Sequence, residues 1–497
     1  MKDVLAIAPH PDAAALGNRL LEAGRSAAEA AVAMGAHLSV TMPHFCGIGG
    51  DAVWLVSDRE GHVRALNGIG QAWESAAAVT RIETRGPASI LTSAAAVSTW
   101  QAALDAFGNA KPDLDALLSP AIEAARDGMV VTPSQDFWRA MRAGESADWP
   151  GFGVYRETAT GETLRQEKLA DSLDCLRAEG LESFYTGSLA GRILDDLRSL
   201  GLGVTPDDLR RTWTEVGEPL RLGYRDATLH APPPPTQGVT TLEIMGILGA
   251  LGETPAMGSA ADYHLMVEAV KGAFLDRRGL DDSAGTRERV ASLLSEANLR
   301  MRAGEIDRAR ARPWPEPFRE ADTVYFAARD KAGGCVSALQ STYFDWGSGC
   351  CLPGTGIIWH NRGASFSLEE GPNRLAPGRR PFHTLNPGIA TREGRPWLLY
   401  GTQGADGQPQ TLTVLLRHAI DHGLPPDAAL ARPRFLLGRT FSDNRDTLKL
   451  EPMGTEAELR ALGHVISPIP SLSPLAGQAG MIRIEGNSVT GCHDPRG

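Results

Sequence analysis

The sequence predicts a mixed α/β (α+β) fold, and three observations carry that prediction. Ala- and Leu-rich stretches show helical spacing, alternating apolar runs lie between them, and strands dominate two later segments, 323–361 and 376–402. Residues 12–40 read as two helices: Gly24 breaks the first, and Ser26-Ala27-Ala28-Glu29 is a capping box that opens the second. These two helices are expected to precede the first strand, Ala52-Val53-Trp54-Leu55-Val56. Residues 90–145 and 161–200 carry helical periodicity with Gly and Pro breaks. After Pro232-Pro233-Pro234-Pro235, a stiff spacer, 240–251 and 262–274 read as helices. Strands dominate 323–361 and 376–402, and 411–423 is again helical. No internal repeat is present.

The most specific local prediction is a β-hairpin. Thr323 opens an alternating run to Arg329, Asp330-Lys331-Ala332-Gly333-Gly334 reads as a turn, and Cys335 to Ser341 alternates again. If 329 pairs with 335, residue 323 falls opposite 341, and opposed side chains lie roughly 5 Å apart. The hydroxyls of Thr323 and Ser341 are therefore expected side by side. A register shift of one residue would leave Ser341 an ordinary strand serine.

Composition narrows the function classes. The chain has 497 residues, net charge −11 and no basic tract, which argues against a nucleic-acid partner. Its longest apolar stretch, near 239–251, contains Glu243, so no membrane span is expected. The first residues carry too short an apolar run for a signal peptide, and six cysteines without CxxC spacing suit reduced thiols, so a cytoplasmic location is expected.

Motifs then add up. Asp322-Thr323, Gln340-Ser341, Trp346-Gly347-Ser348-Gly349, Pro353-Gly354-Thr355-Gly356, Asn361-Arg362-Gly363 and Arg380-Pro381-Phe382-His383-Thr384-Leu385-Asn386-Pro387 follow one another. Pro43-His44-Phe45-Cys46-Gly47-Ile48-Gly49-Gly50-Asp51 precedes them, and Asp494-Pro495-Arg496 ends the series. In this order they resemble the γ-glutamyltransferase family over nearly the whole chain. The resemblance implies a four-layer αββα sandwich of the N-terminal-nucleophile hydrolases. It also implies self-cleavage between Asp322 and Thr323 into residues 1–322 and 323–497, interwoven as one domain, with no cofactor or metal. The two pieces would form a heterodimer, with a higher oligomer left open.

A threonine hydroxyl needs a base, and cleavage supplies one: the freed α-amino group of Thr323, with a pKa near ~8, sits on the nucleophile's own residue. Ser341 matches the position that steadies the nucleophile. Gly404-Ala405 matches the family's Gly-Gly oxyanion turn with the second Gly replaced, and the hole survives if that position does not need a positive φ. The Arg-rich segment 297–321, ending in Pro313, Pro315 and Pro317, reads either as a solvated helix and loop or as a loose tether that lets the new ends separate.

The pocket departs from the family pattern. The carboxylate-clamp motif reads Ile69-Gly70-Gln71-Ala72-Trp73, and Tyr343, Arg362 and Ser365 stand at the family's Asn, Gln and Asp positions. The pocket Ser-Ser is His383-Thr384. Without the acid that pairs with an ammonium, a γ-glutamyl substrate would leave that charge unmet. Such changes resemble the branch that includes oxamate amidohydrolases and cephalosporin acylases. Arg362 either receives a substrate carboxylate or pairs with Glu369 or Glu370. The expected substrate is a small acid amide such as oxamate; γ-glutamyl transfer or glutathione hydrolysis, a cephalosporin acylase-like activity and a non-catalytic ligand-binding relative are the alternatives.

Other motifs are read structurally. Gly47-Ile48-Gly49-Gly50 precedes a strand instead of a helix, so a close-packed turn is expected in place of a phosphate loop. His418 and His422 lack the Glu of HExxH and suit a helix end, and Cys46, Cys350 and Cys351 suit packed thiols.

Overall fold

The computed structural model describes residues 2–109, 111–314, 322–440 and 443–496. Its first sheet has the order β1 (Leu5–Ile7), β9 (Asp322–Arg329), β10 (Cys335–Tyr343), β2 (Asp51–Ser57), β3 (Val63–Gly68) and β6 (Glu215–Gly217). The second runs β17 (Ser488–His493), β16 (Ala479–Glu485), β12 (Arg395–Thr402), β11 (Gly388–Arg392), β8 (Ala227–Ala231) and β7 (Leu220–Tyr224). A three-stranded sheet, β13 (Phe435–Thr440), β14 (Asp443–Leu450) and β15 (Ile466–Pro468), and the short pair β4 (Met129–Val130) and β5 (Thr163–Leu164) complete the described strands.

The two large sheets face one another. Alternate residues Val53, Leu55, Tyr325, Ala327 and Leu339 of the first sheet meet Ile389, Leu399, Ile482 and Ile484 of the second in a dry middle layer. The opposite face of the first sheet is covered by helices including Ala27–Thr41 and Ala96–Phe107, and that of the second by Gly238–Leu251, Ala260–Arg277 and Gln408–Leu416. This is the expected four-layer αββα arrangement. Helix Ala27–Thr41 has no polar face, because it is buried along its whole length, and the predicted Ser26/Glu29 capping box starts it.

Two expectations need correction. A strand, β1, precedes the two N-terminal helices; three residues are too few for a period to be read. The regular strands stop at Tyr343, and residues 344–387 are mostly turns and bridges whose hydrogen bonds go to loops. In the arginine-rich segment, Glu296–Gly304 is a helix, and Arg302 and Arg308 are tied to Asp276 and Glu253. This matches the helix-and-loop reading as far as residue 314; Pro315 and Pro317 lie outside the described residues.

The hairpin forms with the expected register from Cys335↔Arg329 to Gln340↔Val324. It then slips by one at a β-bulge, so that Tyr343 faces Asp322.

Candidate active site

The bulge changes what the two hydroxyls do. Thr323 and Ser341 are both buried, and the described hydrogen bonds take each hydroxyl to a backbone carbonyl instead of to the other. Thr323 Oγ1 donates to the Gln340 carbonyl at 3.2 Å. Ser341 Oγ donates to the Asp322 carbonyl at 2.6 Å and accepts the Tyr343 N–H at 2.8 Å. The expected facing pair takes this form: Ser341 polarises the carbonyl of the Asp322–Thr323 peptide bond, and the Thr323 hydroxyl lies on the next residue. Tyr343 takes φ +81°, a left-handed conformation that costs a non-glycine residue roughly 1–2 kcal/mol.

The glycine motif at 47–50 packs behind this site. A Cβ on Gly50 would lie 2.3 Å from the Ser341 carbonyl oxygen, and one on Gly49 would lie 2.4 Å from that of Ile358. These glycines therefore permit close backbone approach, as the turn reading expected.

Arg362 lies beneath Tyr343, its guanidinium carbon 3.7 Å from the ring centroid. It is buried, and neither Nε nor Nη1 has a hydrogen-bond partner. Glu370 pairs with Arg374 instead. Burial pulls the Arg362 guanidinium down to about 10, against the favourable pull of Tyr343 and Asp51.

Asp51, read from the sequence only as the end of a glycine motif, proves to be the hub of the buried charges. Its Oδ1 accepts the Gly70 and Ala95 N–H groups, and its Oδ2 lies 3.3 Å from His383 Nε2 and 3.5 Å from His360 Nδ1. Burial alone would raise the carboxyl, but the two imidazoles hold it well below the usual range. His383 Nδ1 accepts the Leu385 N–H at 3.3 Å, so its proton sits on Nε2, facing Asp51. Burial and then Arg362 lower His383 to about 3, and the ring is neutral.

Ser365 Oγ donates to the Phe382 carbonyl at 2.8 Å, tying the 362–365 turn to the 380s loop. The Thr384 carbonyl accepts from Gln237 Nε2 at 2.6 Å, and that same nitrogen donates to the Ala405 carbonyl at 2.7 Å. Gly404 has φ +109° and Ala405 φ +44°. Position 405 therefore does adopt a positive φ, contrary to the condition set from the sequence, and the alanine carries that strain with its N–H retained. Among the described residues neither the Gly404 nor the Ala405 N–H has a hydrogen-bond acceptor.

A cavity of about 620 Å³ opens over this region. Asp322, Gln403 and Gly404 line it, with Phe45, Phe344, Arg85 and Arg142 among its other walls. Asp345 accepts from both Arg85 and Arg142, so the two guanidiniums share one carboxylate. Tyr343, Arg362, Ser365, His383 and Thr384 are buried and are not part of its lining, and of these His383 faces Asp51. Sequence reasoning missed Asp51, Gln237, Arg85 and Asp345. Only Asp51 carried a signal, as an acid ending a glycine run.

Among the described residues, His264, Glu268 and His464 form one group whose composition could hold a metal, and Asp58, Glu60 and His62 form another; neither includes a residue of this site. Glu268 already pairs with Lys271, and the His264 ring is spent on His464 and the Asp307 carbonyl. All six cysteines are free thiols, and burial pushes Cys350 and Cys351 up to about 11 and about 12, which disqualifies both as nucleophiles. His418 is buried in a π-helical turn, Arg417–Asp421, at the end of helix Gln408–Leu416, as a helix-end residue. No described helix is long and apolar enough to cross a membrane.

Comparison with known proteins follows the same line. Residues 13–497 match the gamma-glutamyltranspeptidase family. The chain is 39% identical to the oxamate amidohydrolase proenzyme of Klebsiella pneumoniae, over 99% of this chain and 97% of that one. It is 35% identical to a glutathione hydrolase-like proenzyme of Bacillus subtilis, again over 99% and 97%. The crystal structure of cephalosporin acylase from Bacillus halodurans superposes with a TM-score of 0.91 at 32% identity, covering 100% of this chain and 94% of that one.

Proposed function

The chain belongs to the gamma-glutamyltranspeptidase family and is an amide-cleaving enzyme of it, and from that premise we propose that it cuts itself between Asp322 and Thr323 and then hydrolyses a small acid amide with Thr323. The observation that carries this reading is the Ser341 hydroxyl seated on the Asp322 carbonyl, with the Thr323 hydroxyl on the next residue.

In the precursor, Thr323 Oγ1 attacks the Asp322 carbonyl carbon, and Ser341 stabilises the charge that grows on its oxygen. The acyl group moves from nitrogen to Oγ1. Water hydrolyses the resulting ester, leaving a carboxylate on Asp322 and a free α-amine on Thr323. In turnover that amine takes the Oγ1 proton as the hydroxyl attacks the substrate carbonyl. The Gly404 and Ala405 N–H groups receive the oxyanion, the substrate nitrogen departs with the proton, and water releases the acid from Thr323. Both sheets draw strands from each side of residue 322, which supports a heterodimer whose pieces stay together after cleavage.

The acid-amide preference rests on charge. Ile69, where the clamp arginine would stand, is packed in the middle core, and Ser365 is spent on the Phe382 carbonyl, so neither serves a glutamyl group. Arg362, buried beneath Tyr343 with Nε and Nη1 unpaired, offers a guanidinium for a carboxylate that reaches past that ring. The likeness to an oxamate amidohydrolase supports the same preference. The 620 Å³ cavity favours a second reading, a bulkier acid amide, because it exceeds what oxamate fills. Both readings are tested by comparing ammonia release from oxamate, cleavage of succinyl-p-nitroanilide and cleavage of γ-glutamyl-p-nitroanilide, in wild type and Arg362→Ala. The acid amides should react faster, and Arg362→Ala should raise their KM roughly 10- to 100-fold, as expected for a charged hydrogen-bonded pair. A fast γ-glutamyl reaction indifferent to Arg362→Ala would refute the preference.

A further inference from the structure

The residue that ties the oxyanion turn to the rest of the site is Gln237, in the connector before helix Gly238–Leu251. Its side chain is fully buried, and all of its hydrogen-bonding capacity on Nε2 is committed. The two Nε2 hydrogens go to the Thr384 and Ala405 carbonyls, and Oε1 accepts from Arg277 Nη1 at 3.0 Å. Arg277 in turn grips Asp406 with both terminal nitrogens, at 2.5 and 3.1 Å, and lies 4.3 Å from the Phe274 ring centroid. The turn 404–406 is therefore bolted to helix Ala260–Arg277 through one amide and one guanidinium.

The bolt sits where the backbone is least willing to stay. Ala405 holds φ +44°, and an alanine there gives up roughly 1–2 kcal/mol relative to its preferred conformations. Gly404, beside it, needs no such restraint. If Ala405 relaxed to a negative φ, the peptide carrying its N–H would rotate away from the acceptor. We propose that Gln237 is a positioning residue of the amidase reaction, holding the Ala405 backbone in the left-handed conformation that aims the oxyanion donors. The proposal rests on the preceding reading of Gly404 and Ala405 as those donors. An amide is required at this position: a glutamate would set a carboxylate against two carbonyl oxygens, and an aliphatic chain would leave both carbonyls unpaired.

The test uses fully processed enzyme with oxamate or succinyl-p-nitroanilide as probe. Gln237→Ala should lower kcat about 10- to 100-fold, a fraction of what losing a whole donor costs, with KM within about threefold. Gln237→Met, which keeps the volume, should do the same and replaces the alanine variant if that one does not fold. Ala405→Gly added to the Gln237→Ala background should recover part of the lost kcat, because glycine occupies a positive φ without strain. A structural role alone would not produce that rescue. A kcat that stays within twofold of wild type, a change confined to KM, or a double variant no better than Gln237→Ala would overturn the proposal. Should wild type show no Thr323-dependent hydrolysis at all, the catalytic reading falls and takes this inference with it; an active wild type with an unaffected Gln237→Ala removes the inference alone.

Discussion

Replacing Ser341 by alanine should slow self-cleavage without preventing folding, and the size of the effect follows from two hydrogen bonds. The 2.6 Å bond from Ser341 Oγ to the Asp322 carbonyl contributes about 0.5–1.5 kcal/mol while the carbonyl is neutral, and a donor aimed at a developing oxyanion contributes about 3 kcal/mol. The difference appears in the barrier and corresponds to roughly 10- to 100-fold in rate. The second bond, from the Tyr343 N–H to Ser341 Oγ, is also lost, which leaves a buried donor unpaired and lowers stability by about 1–3 kcal/mol. Purified precursor incubated over hours and sampled by denaturing electrophoresis gives the cleavage rate, and urea unfolding of an uncleavable Thr323→Ala background gives the stability. Ser341→Thr keeps a hydroxyl and should lie nearer wild type. Cleavage of Ser341→Ala within twofold of wild type would show that this hydroxyl does not act on the carbonyl.

Arg362→Met should stabilise the protein while abolishing its preference for acid amides. Burial pulls the Arg362 guanidinium down to about 10, a folded-state penalty on the order of 3 kcal/mol that is present at pH 7 and relieved only as pH rises above 10; a lower urea midpoint for the variant at pH 7 would contradict this. Acid should destabilise the fold from about pH 6.5 downwards, since His383 and His418 are held to about 3 chiefly by burial and the unfolded chain binds their protons first. Each contributes roughly 1–2 kcal/mol between pH 7 and pH 5, so urea midpoints should fall over that interval, and fall less steeply for His418→Phe; equal midpoints at pH 7 and pH 5 would refute the assignment.

Much of the fold could be read because local signals agreed with tertiary need. The capping box at Ser26, the glycine turn at 333–334 and the alternation on either side of it each specify one conformation, and the hairpin register followed from them for six pairs. The bulge after Gln340 could not be read, because Thr342 and Tyr343 carry no glycine or proline to mark it. Arg362 was recognised as displaced from the family pattern, yet its lack of a partner depends on where Glu370 goes, and Glu370 turns to Arg374 four residues on. Asp51 reaches His383 and Gln237 reaches Ala405 across long stretches of sequence, and no local pattern announces such contacts.

The central claim, that Thr323 is a masked N-terminal nucleophile, is tested most directly by intact-mass and N-terminal analysis of the purified protein. Wild type should separate into two polypeptides, residues up to 322 and residues from 323, with Thr323 as the new first residue, and Thr323→Ala should remain a single chain. A wild-type chain that stays intact after prolonged incubation, or one whose new N-terminus lies elsewhere, would contradict the account.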